Sequence, residues 1–500
     1  MKGVLIGLTI FLGVVLVSLV GFLIWGHIYG ENYVYDAPEH IELTPNSHGT
    51  ITAHGKGLYD AKGNRFDIKG INYGNLFIAE GWMTVNSVGA LMENENTYAS
   101  NALNNEKNVV TEYEEIFQEE MDKIFANRFT DEEIKALNDA YFYSYCTEED
   151  FAFISSIGLN TIRVPMYYRN FLSTHDRYRL SDEELCAKNF EDIELDFEKL
   201  DIFLSYAKKY DLKVIIDMHG VMGGQSGFEH CGTRDIDFWD NEDYQEFMCN
   251  LWAAIAEHYY DSDYSSTILA YDLANEPTNR NEIGTGPKQW EVMNKMYEAI
   301  REVDDEHVIS IEGVWFPVSL PSPEKYGWEN VLYQFHYYNW PWQGTSNELY
   351  YAFTFGLSSL VDYDVPKLVG EFTFFNDEGA WDKYLKAYDQ HGWGWTIWSY
   401  KIVCPGWWDN SWGLVVQKLQ LVNEDGVLTD GDPSNDKLKL NLNTASYEDI
   451  MYAWSHQGLI GENLDEVGYT HIDGYNKDGT PRYGSTYRVL VKYFEDLNKK

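Results

Sequence analysis

Positive charge is what this sequence has least of: 37 Lys and Arg stand against 80 Asp and Glu, a net charge of −43. Phosphate backbones are bound by clustered cations, so nucleic acid is excluded as the default partner. The same shortage argues against docking on anionic lipid through a basic patch. Cysteine is also scarce and scattered: Cys146, Cys186, Cys231, Cys249 and Cys404, with no CxxC pair. A zinc knuckle or redox motif is therefore not expected, and a chain of this size needs no disulfides for its core. The cysteines read as buried free thiols, with Cys231–Cys404 the one pair to test as a bridge. There is no internal repeat and no linker to a second module. Disorder is excluded as well, because 44% of the residues are hydrophobic and disordered chains lack that apolar mass. Aromatic residues are abundant, with 17 Trp, 38 Tyr and 25 Phe. That exceeds the needs of one core and suggests a lined surface cleft.

The first long feature is apolar. From Gly3 to Trp25 there is no charged residue, and as a helix the stretch rises about 35 Å, enough to cross a hydrocarbon core of about 30 Å. It outlasts the apolar region of a signal peptide and runs into Gly26-His27-Ile28-Tyr29 without a small-residue cleavage pattern. The reading is an uncleaved signal anchor, with a cleaved and secreted form as the alternative. Lys2 precedes the span, and Glu31, Asp36 and Glu39 follow it, which places the amino terminus in the cytoplasm and the rest outside. Residues 1–30 are then cytoplasmic tip and anchor, 31–50 a polar tether, and 51–500 one domain.

Within that domain a hairpin is expected around Asp60–Asn64, followed by one theme repeated: a short apolar run, a loop, an amphipathic helix. The runs are Phe66–Tyr73, Thr161–Pro165, Lys213–Met218, Ile268–Leu273, His307–Ile311, Val331–Phe335, Lys367–Val369 and Gly394–Ser399. Near-continuous apolar runs are what strands buried on both faces look like, and such strands belong to parallel sheets. Helices are expected over Glu148–Ile157, Ile193–Tyr210, Tyr244–Tyr259, Pro287–Val303, Ala380–Gln390 and Thr486–Leu497. The sum is a (β/α)8 TIM barrel. A doubly wound open sheet is the runner-up, but no Gly-rich phosphate loop follows any strand. Long insertions follow strand one (Ile78–Tyr145, Asn-rich from Asn94 to Asn108, then helical with a Thr130…Glu133 capping box) and strand eight (Lys401–Ser485). Asn423–Asp436 lacks the ligand spacing of a calcium loop and reads as solvated.

Polar groups cluster at one end of these strands. Strand two ends in Arg163-Val164-Pro165, three in Asp217-Met218-His219-Gly220, four in Asn275-Glu276-Pro277, six in His336-Tyr337-Tyr338, seven in Gly370-Glu371-Phe372 and eight in Trp398. Each residue alone has an ordinary structural explanation. Together, at the end of a barrel where chemistry is done, they suit acetal hydrolysis, which needs one carboxyl to protonate a leaving oxygen and a second to stabilise or attack an oxocarbenium-like centre.

On these residues the sequence resembles glycoside hydrolase family 5, the cellulase superfamily within clan A, over about residues 50–410 and the last helix. The resemblance implies Glu276 as acid/base and Glu371 as nucleophile, close enough for retention through a covalent glycosyl-enzyme. It implies Arg163 and Tyr338 on the nucleophile, His336 on the acid/base, Asn275 and His219 on sugar hydroxyls, and Trp398 as the floor of the −1 subsite. Trp340, Trp342, Trp407, Trp408 and Trp412 would extend an aromatic platform. Thr147–Phe151, Ile157–Asn160 and the loop His219–Phe228 are similar to exo-β-1,3-glucanases, but Val221–Gly224 and Phe372–Phe374 depart from that group, as do both insertions. The expected substrate is β-glucan or a gluco-oligosaccharide. Alternatives are a transglycosylase on the same residues, a hydrolase of β-mannan or another β-glycoside, and a non-catalytic glycan-binding surface protein. No metal or organic cofactor is implied, and a monomer facing outward from the cell membrane is expected.

Overall fold

The computed structural model describes residues 2–35, 37–81, 83–84, 86–87, 116–278, 285–338, 347–374, 377–404, 413–418, 420–422, 428–430, 440–455 and 486–499. Eight parallel strands close into a barrel: β1 Lys69–Asn72, β2 Thr161–Tyr167, β3 Lys213–Gly220, β4 Ile268–Asp272, β5 Val308–Glu312, β6 Val331–Tyr338, β7 Lys367–Thr373 and β8 Gly394–Ile397. β8 returns to β1 with Trp395 opposite Lys69 and Ile397 opposite Ile71. Each of the eight apolar runs in the sequence overlaps one of these strands, and five of the strands extend beyond the carboxyl end of their run. Nearly all their residues are buried, as expected for strands covered by helices outside and by packed side chains inside.

The barrel interior has two unlike layers. At the amino-terminal ends, Ile68, Ile215, Leu269, Val308, Leu332 and Leu368 form an apolar plug, joined by Ile51 and Leu58. Leu58 lies in a hairpin that turns at Gly55–Lys56, earlier than expected, where Thr52–His54 pairs with Gly57–Tyr59; across the expected turn Asp60–Asn64, Tyr59 bridges to Arg65. At the carboxyl ends the interior turns polar, with Asn72, Arg163, Asp217, Asp272, Glu312, Gln334 and Glu371 all buried.

Helices start where their caps dictate. Before Glu148–Ile157, Asp150 Oδ2 accepts the Thr147 amide at 2.8 Å, and the helix ends on Gly158 at φ 109°, a left-handed position that glycine tolerates. Asp150 also receives Tyr73 at 3.1 Å and Tyr400 at 2.7 Å, so the cap ties the loops after β1 and β8 together. Thr130 and Glu133 form the expected capping box. The helix expected from Ile193 begins later, at Glu198, because Phe190–Asp192 is a separate 3-10 turn and Leu195 pairs with Leu172. An additional helix, Asn347–Ser358, lies between β6 and β7.

The two insertions meet. Leu440–Asn441 pairs in parallel with Asn86–Ser87. Met121, Phe125, Ile134 and Leu137 from the first insertion share a hydrophobic cluster with Leu442, Ile450 and Trp454 from the second. Leu428–Asp430, inside the stretch read as a loop, is a strand pairing with Gln420–Val422. The Asn-rich stretch Asn94–Asn108 lies outside the described residues. Cys146, Cys186, Cys231 and Cys249 are free thiols. A Cys231–Cys404 bridge is therefore not formed, and the Cys231 thiol instead donates to the carbonyl of Thr233 at 3.1 Å.

The amino-terminal helix runs from Lys2 to Asn32. After it, the chain follows the barrel's amino-terminal face. Tyr35 N donates to Gln390 O at 2.9 Å, and His48 sits between Glu306 at 2.9 Å and Asp261 at 2.8 Å.

Candidate active site

Arg163, the only cation among those buried interior residues, organises the polar end of the barrel. It is fully buried, and four strands supply its partners. Nη1 donates to Glu371 Oε1 at 2.8 Å and to Asn72 Oδ1 at 3.0 Å. Nε donates to Asp272 Oδ2 at 2.9 Å, and Nη2 donates to Asn275 Oδ1 at 2.8 Å and lies 3.0 Å from Asp217 Oδ1. Burial opposes its charge, but Asp217, Asp272 and Glu371 outweigh that and hold it protonated. A planar guanidinium with five donors suits such a hub, whereas a lysine presents one point charge. Removing it would leave buried carboxylates without a counter-ion, a loss of about 3–5 kcal/mol in comparable cases.

Glu276 lies in the loop after β4 and Glu371 in β7, and an oxygen of each lies within 4.8 Å of the other and of a His336 ring nitrogen. His336 Nδ1 is 2.9 Å from Glu276 Oε1 and 3.5 Å from Glu371 Oε2. Tyr338 donates to Glu371 Oε2 at 2.8 Å. Burial raises both carboxyls, and the environments then separate them. For Glu371 the Arg163 guanidinium and the Tyr338 hydroxyl pull back toward the ionised form. Glu276 faces the negative charges of Glu371 and Glu80 and is raised well above the usual carboxylate range. The pair therefore holds one proton, on Glu276, the division of labour that acid and nucleophile require. The three groups also have the spacing of metal ligands, but both Glu371 oxygens already accept hydrogen bonds and a buried guanidinium stands beside them.

The surrounding groups are held neutral or fixed. Burial drives His336 well below its ordinary value and brings His219 down to about 3. His219 Nδ1 bonds Asp217 at 2.6 Å, Nε2 receives Asn275 Nδ2 at 3.4 Å, and the ring stacks on Trp398 at 5.5 Å with 13° between planes. Trp398 is buried to 4% exposure, which leaves little of the ring open. The structure thus brings Arg163, His219, Asn275, Glu276, His336, Tyr338, Glu371 and Trp398 to one end of the barrel. Trp340, Trp342, Trp407, Trp408 and Trp412 lie outside the described residues.

Four groups were not singled out from sequence. Glu312, at the end of β5, accepts the Glu276 amide at 2.8 Å. Glu276 has φ +40°, a left-handed conformation that costs a non-glycine residue free energy and persists only where its surroundings impose it. Gln334 links Asp272 at 2.8 Å to Glu312 at 3.4 Å. His230 lies on the other carboxylate oxygen of Glu276, with Nε2 3.4 Å from Oε2. Glu80, in the loop after β1, adds negative charge near Glu276 and Tyr338. Strand position was the available signal for Glu312, because it ends an apolar run as Glu371 does.

The family model Cellulase (glycosyl hydrolase family 5) matches residues 122–402. Similar curated proteins include a "Beta-xylosidase" from Phanerodontia chrysosporium, 31% identical over 40% of this chain and 39% of its own length. A "Glucan 1,3-beta-glucosidase 2" from Wickerhamomyces anomalus is 35% identical over 28% of this chain and 30% of its own. A "Sporulation-specific glucan 1,3-beta-glucosidase" from Saccharomyces cerevisiae is 30% identical over 42% and 41%. The chain thus spans less than half the length of each of these relatives. With more than half of its residues matched by the family model, the chain belongs to the cellulase family, glycosyl hydrolase family 5.

Proposed function

We propose that this protein is a retaining β-glycoside hydrolase that acts on β-glucans or gluco-oligosaccharides by double displacement. The observation that carries this reading is the spacing of Glu276 and Glu371, with oxygens within 4.8 Å. That separation admits no water between nucleophile and anomeric carbon, and retaining enzymes hold their carboxyls about 5–5.5 Å apart. Protonated Glu276 gives its proton to the leaving glycosidic oxygen as that C–O bond breaks. Glu371 attacks the anomeric carbon and forms a glycosyl ester. Glu276, now ionised, takes a proton from water, the water oxygen attacks the anomeric carbon, and the ester bond breaks to return Glu371 as carboxylate. Asn275 and His219 would bind hydroxyls of the sugar at the −1 position, and the small open part of the Trp398 ring would meet its apolar face. Relatives named as glucan 1,3-beta-glucosidases support the glucan assignment.

The same reading places the N-terminal helix in a membrane, with the barrel outside the cell; the apolar, exposed stretch from Phe11 to Val20 supports it. The test of substrate is a panel of β-1,3-, β-1,4- and mixed-linkage glucans, mannan, xyloglucan and aryl β-xylosides, with product lengths recorded. Glucan cleavage is expected to dominate. Preference for xyloside or mannan would overturn the glucan assignment, and product elongation on added acceptor sugar would identify a transglycosylase.

A further inference from the structure

The N-terminal helix divides into a first half clear of the barrel and a second half that lays one face on it, its other face leaving Ile24, Trp25 and Ile28 55%, 52% and 47% exposed. In the first half nothing lies within 4 Å of a Cβ placed on Gly13 or Gly21, and Phe11, Leu16 and Val17 are 63%, 61% and 72% exposed. In the second half the helix presses on the barrel. A Cβ on Gly26 would fall 1.8 Å from the carbonyl oxygen of Ala352 and 2.8 Å from Gly356 N. A Cβ on Gly30 would meet the Tyr351 ring at 2.5 Å, and one on Gly356 would meet the Phe22 ring at 2.8 Å. Gly26 and Gly30 are four apart, as are Ala352 and Gly356. Each pair therefore shares one helix face, the small-residue spacing that lets two backbones approach closely.

Polar contacts fix the same half. Trp25 Nε1 donates to Ser359 Oγ at 3.0 Å, Gln390 Nε2 donates to the carbonyls of Glu31 and Tyr33 at 3.0 and 2.6 Å, and Lys383 pairs with Glu31 at 3.2 Å. Tyr29 and Tyr33 both pack on His391 at 4.8 Å.

We propose that residues Phe22–Asn32 are a structural helix of the barrel and are retained in the mature protein, while Gly3–Gly21 alone crosses the bilayer, so that one continuous helix holds the barrel rigidly at the membrane surface. Gly3–Gly21 carries no charge and rises about 28 Å, matching a hydrocarbon core of about 30 Å. The docked half rises about 16 Å, and the segment after it lies along the barrel, so no free tether separates barrel from bilayer. The glycan must then come to the membrane surface, because the barrel cannot reach out to it. A signal peptide would leave after cleavage, uncovering the face of helix Asn347–Ser358 that Phe22, Gly26 and Gly30 now cover. The bilayer half of this proposal rests on the anchoring reading above; the docking half stands without it.

The full chain, purified in mild detergent, tests both halves separately. Gly26→Leu should lower the unfolding temperature by about 5 °C or more, a shift that reports a few kcal/mol lost in a domain of this size. Gly21→Leu should leave it unchanged. If Gly26→Leu does not accumulate, Gly26→Ala against Gly21→Ala makes the same comparison with one methyl. Equal unfolding temperatures for the two positions would overturn the docking. For the span, intact mass of membrane-extracted protein should include residues 1–32, and the chain should resist alkaline carbonate washing. A mass lacking only residues up to Gly21, or release into the wash, would overturn the membrane half while leaving the Gly26 result to judge the docking; a mass lacking residues beyond Phe22 would overturn both.

Discussion

His336 Nδ1 stands between Glu276 and Glu371, 2.9 Å from one carboxylate and 3.5 Å from the other. With that ring held neutral by burial, no positive charge lies between the carboxyls, and they cannot both ionise cheaply. Because Glu276 is the more strongly raised, its ionisation is expected to set the alkaline limb of kcat/KM, and protonation of Glu371 the acid limb. Glu276→Gln should abolish the alkaline limb on an aryl glycoside whose leaving group needs no proton. An unchanged alkaline limb in that variant would place the acid elsewhere.

Glu371→Gln and Glu276→Gln should each lower kcat on an unactivated glucan by about 10³-fold or more, since each step of a double displacement uses both groups. Azide separates the roles. On an activated aryl glycoside, Glu276→Gly with azide should give the glycosyl azide of retained configuration, and Glu371→Gly the inverted one. The opposite stereochemistry would exchange nucleophile and acid/base.

Glu312 is expected to act through the backbone of Glu276, whose amide it accepts at 2.8 Å while the residue sits at φ +40°. A glutamine oxygen still accepts that bond; leucine does not. Glu312→Leu should lower kcat by about 10²-fold with a smaller change in KM, as small misplacements of a catalytic group do, while Glu312→Gln stays within about tenfold of the parent. Equal losses in the two variants would mean that Glu312 serves some other purpose.

Burial raises Asp217 from 3.8 to about 7. The folded state therefore keeps a proton that the unfolded chain releases. The stability this contributes is full below the unfolded value near 3.8 and is lost as pH rises toward about 7. Urea unfolding at pH 4.5 and pH 7 should show that slope reduced in Asp217→Asn. The slope is the readout, because the substitution also changes the contact with Arg163. A slope equal to the parent's would contradict a raised Asp217.

The barrel was legible because its strands are buried on both faces. The run at Lys213–Met218 has few rivals as a reading, and β3 covers it. Glu276 and Glu371 were legible because they end such runs within short motifs. Glu312 ends a run too, but Glu-Gly is not distinctive, and its importance rests on a bond to the Glu276 backbone that exists only once β4 and β5 lie side by side. Arg163 with Asp272 is similar, since the pairing depends on barrel closure. The helix Asn347–Ser358 was missed for a different reason. Its outer face is covered by Phe22, Gly26 and Gly30, so it shows no polar stripe to mark a surface helix. The pairing of Leu440–Asn441 with Asn86–Ser87 joins distant segments too short to carry any pattern.

Glu276 and Glu371 acting as a retaining pair would fix the anomeric configuration of the first product. Proton NMR of a β-linked gluco-oligosaccharide during cleavage should show the β-anomer of the new reducing end first, with the α-anomer growing only as mutarotation proceeds. Initial appearance of the α-anomer would mean inversion, a water-mediated single displacement, and would contradict the account.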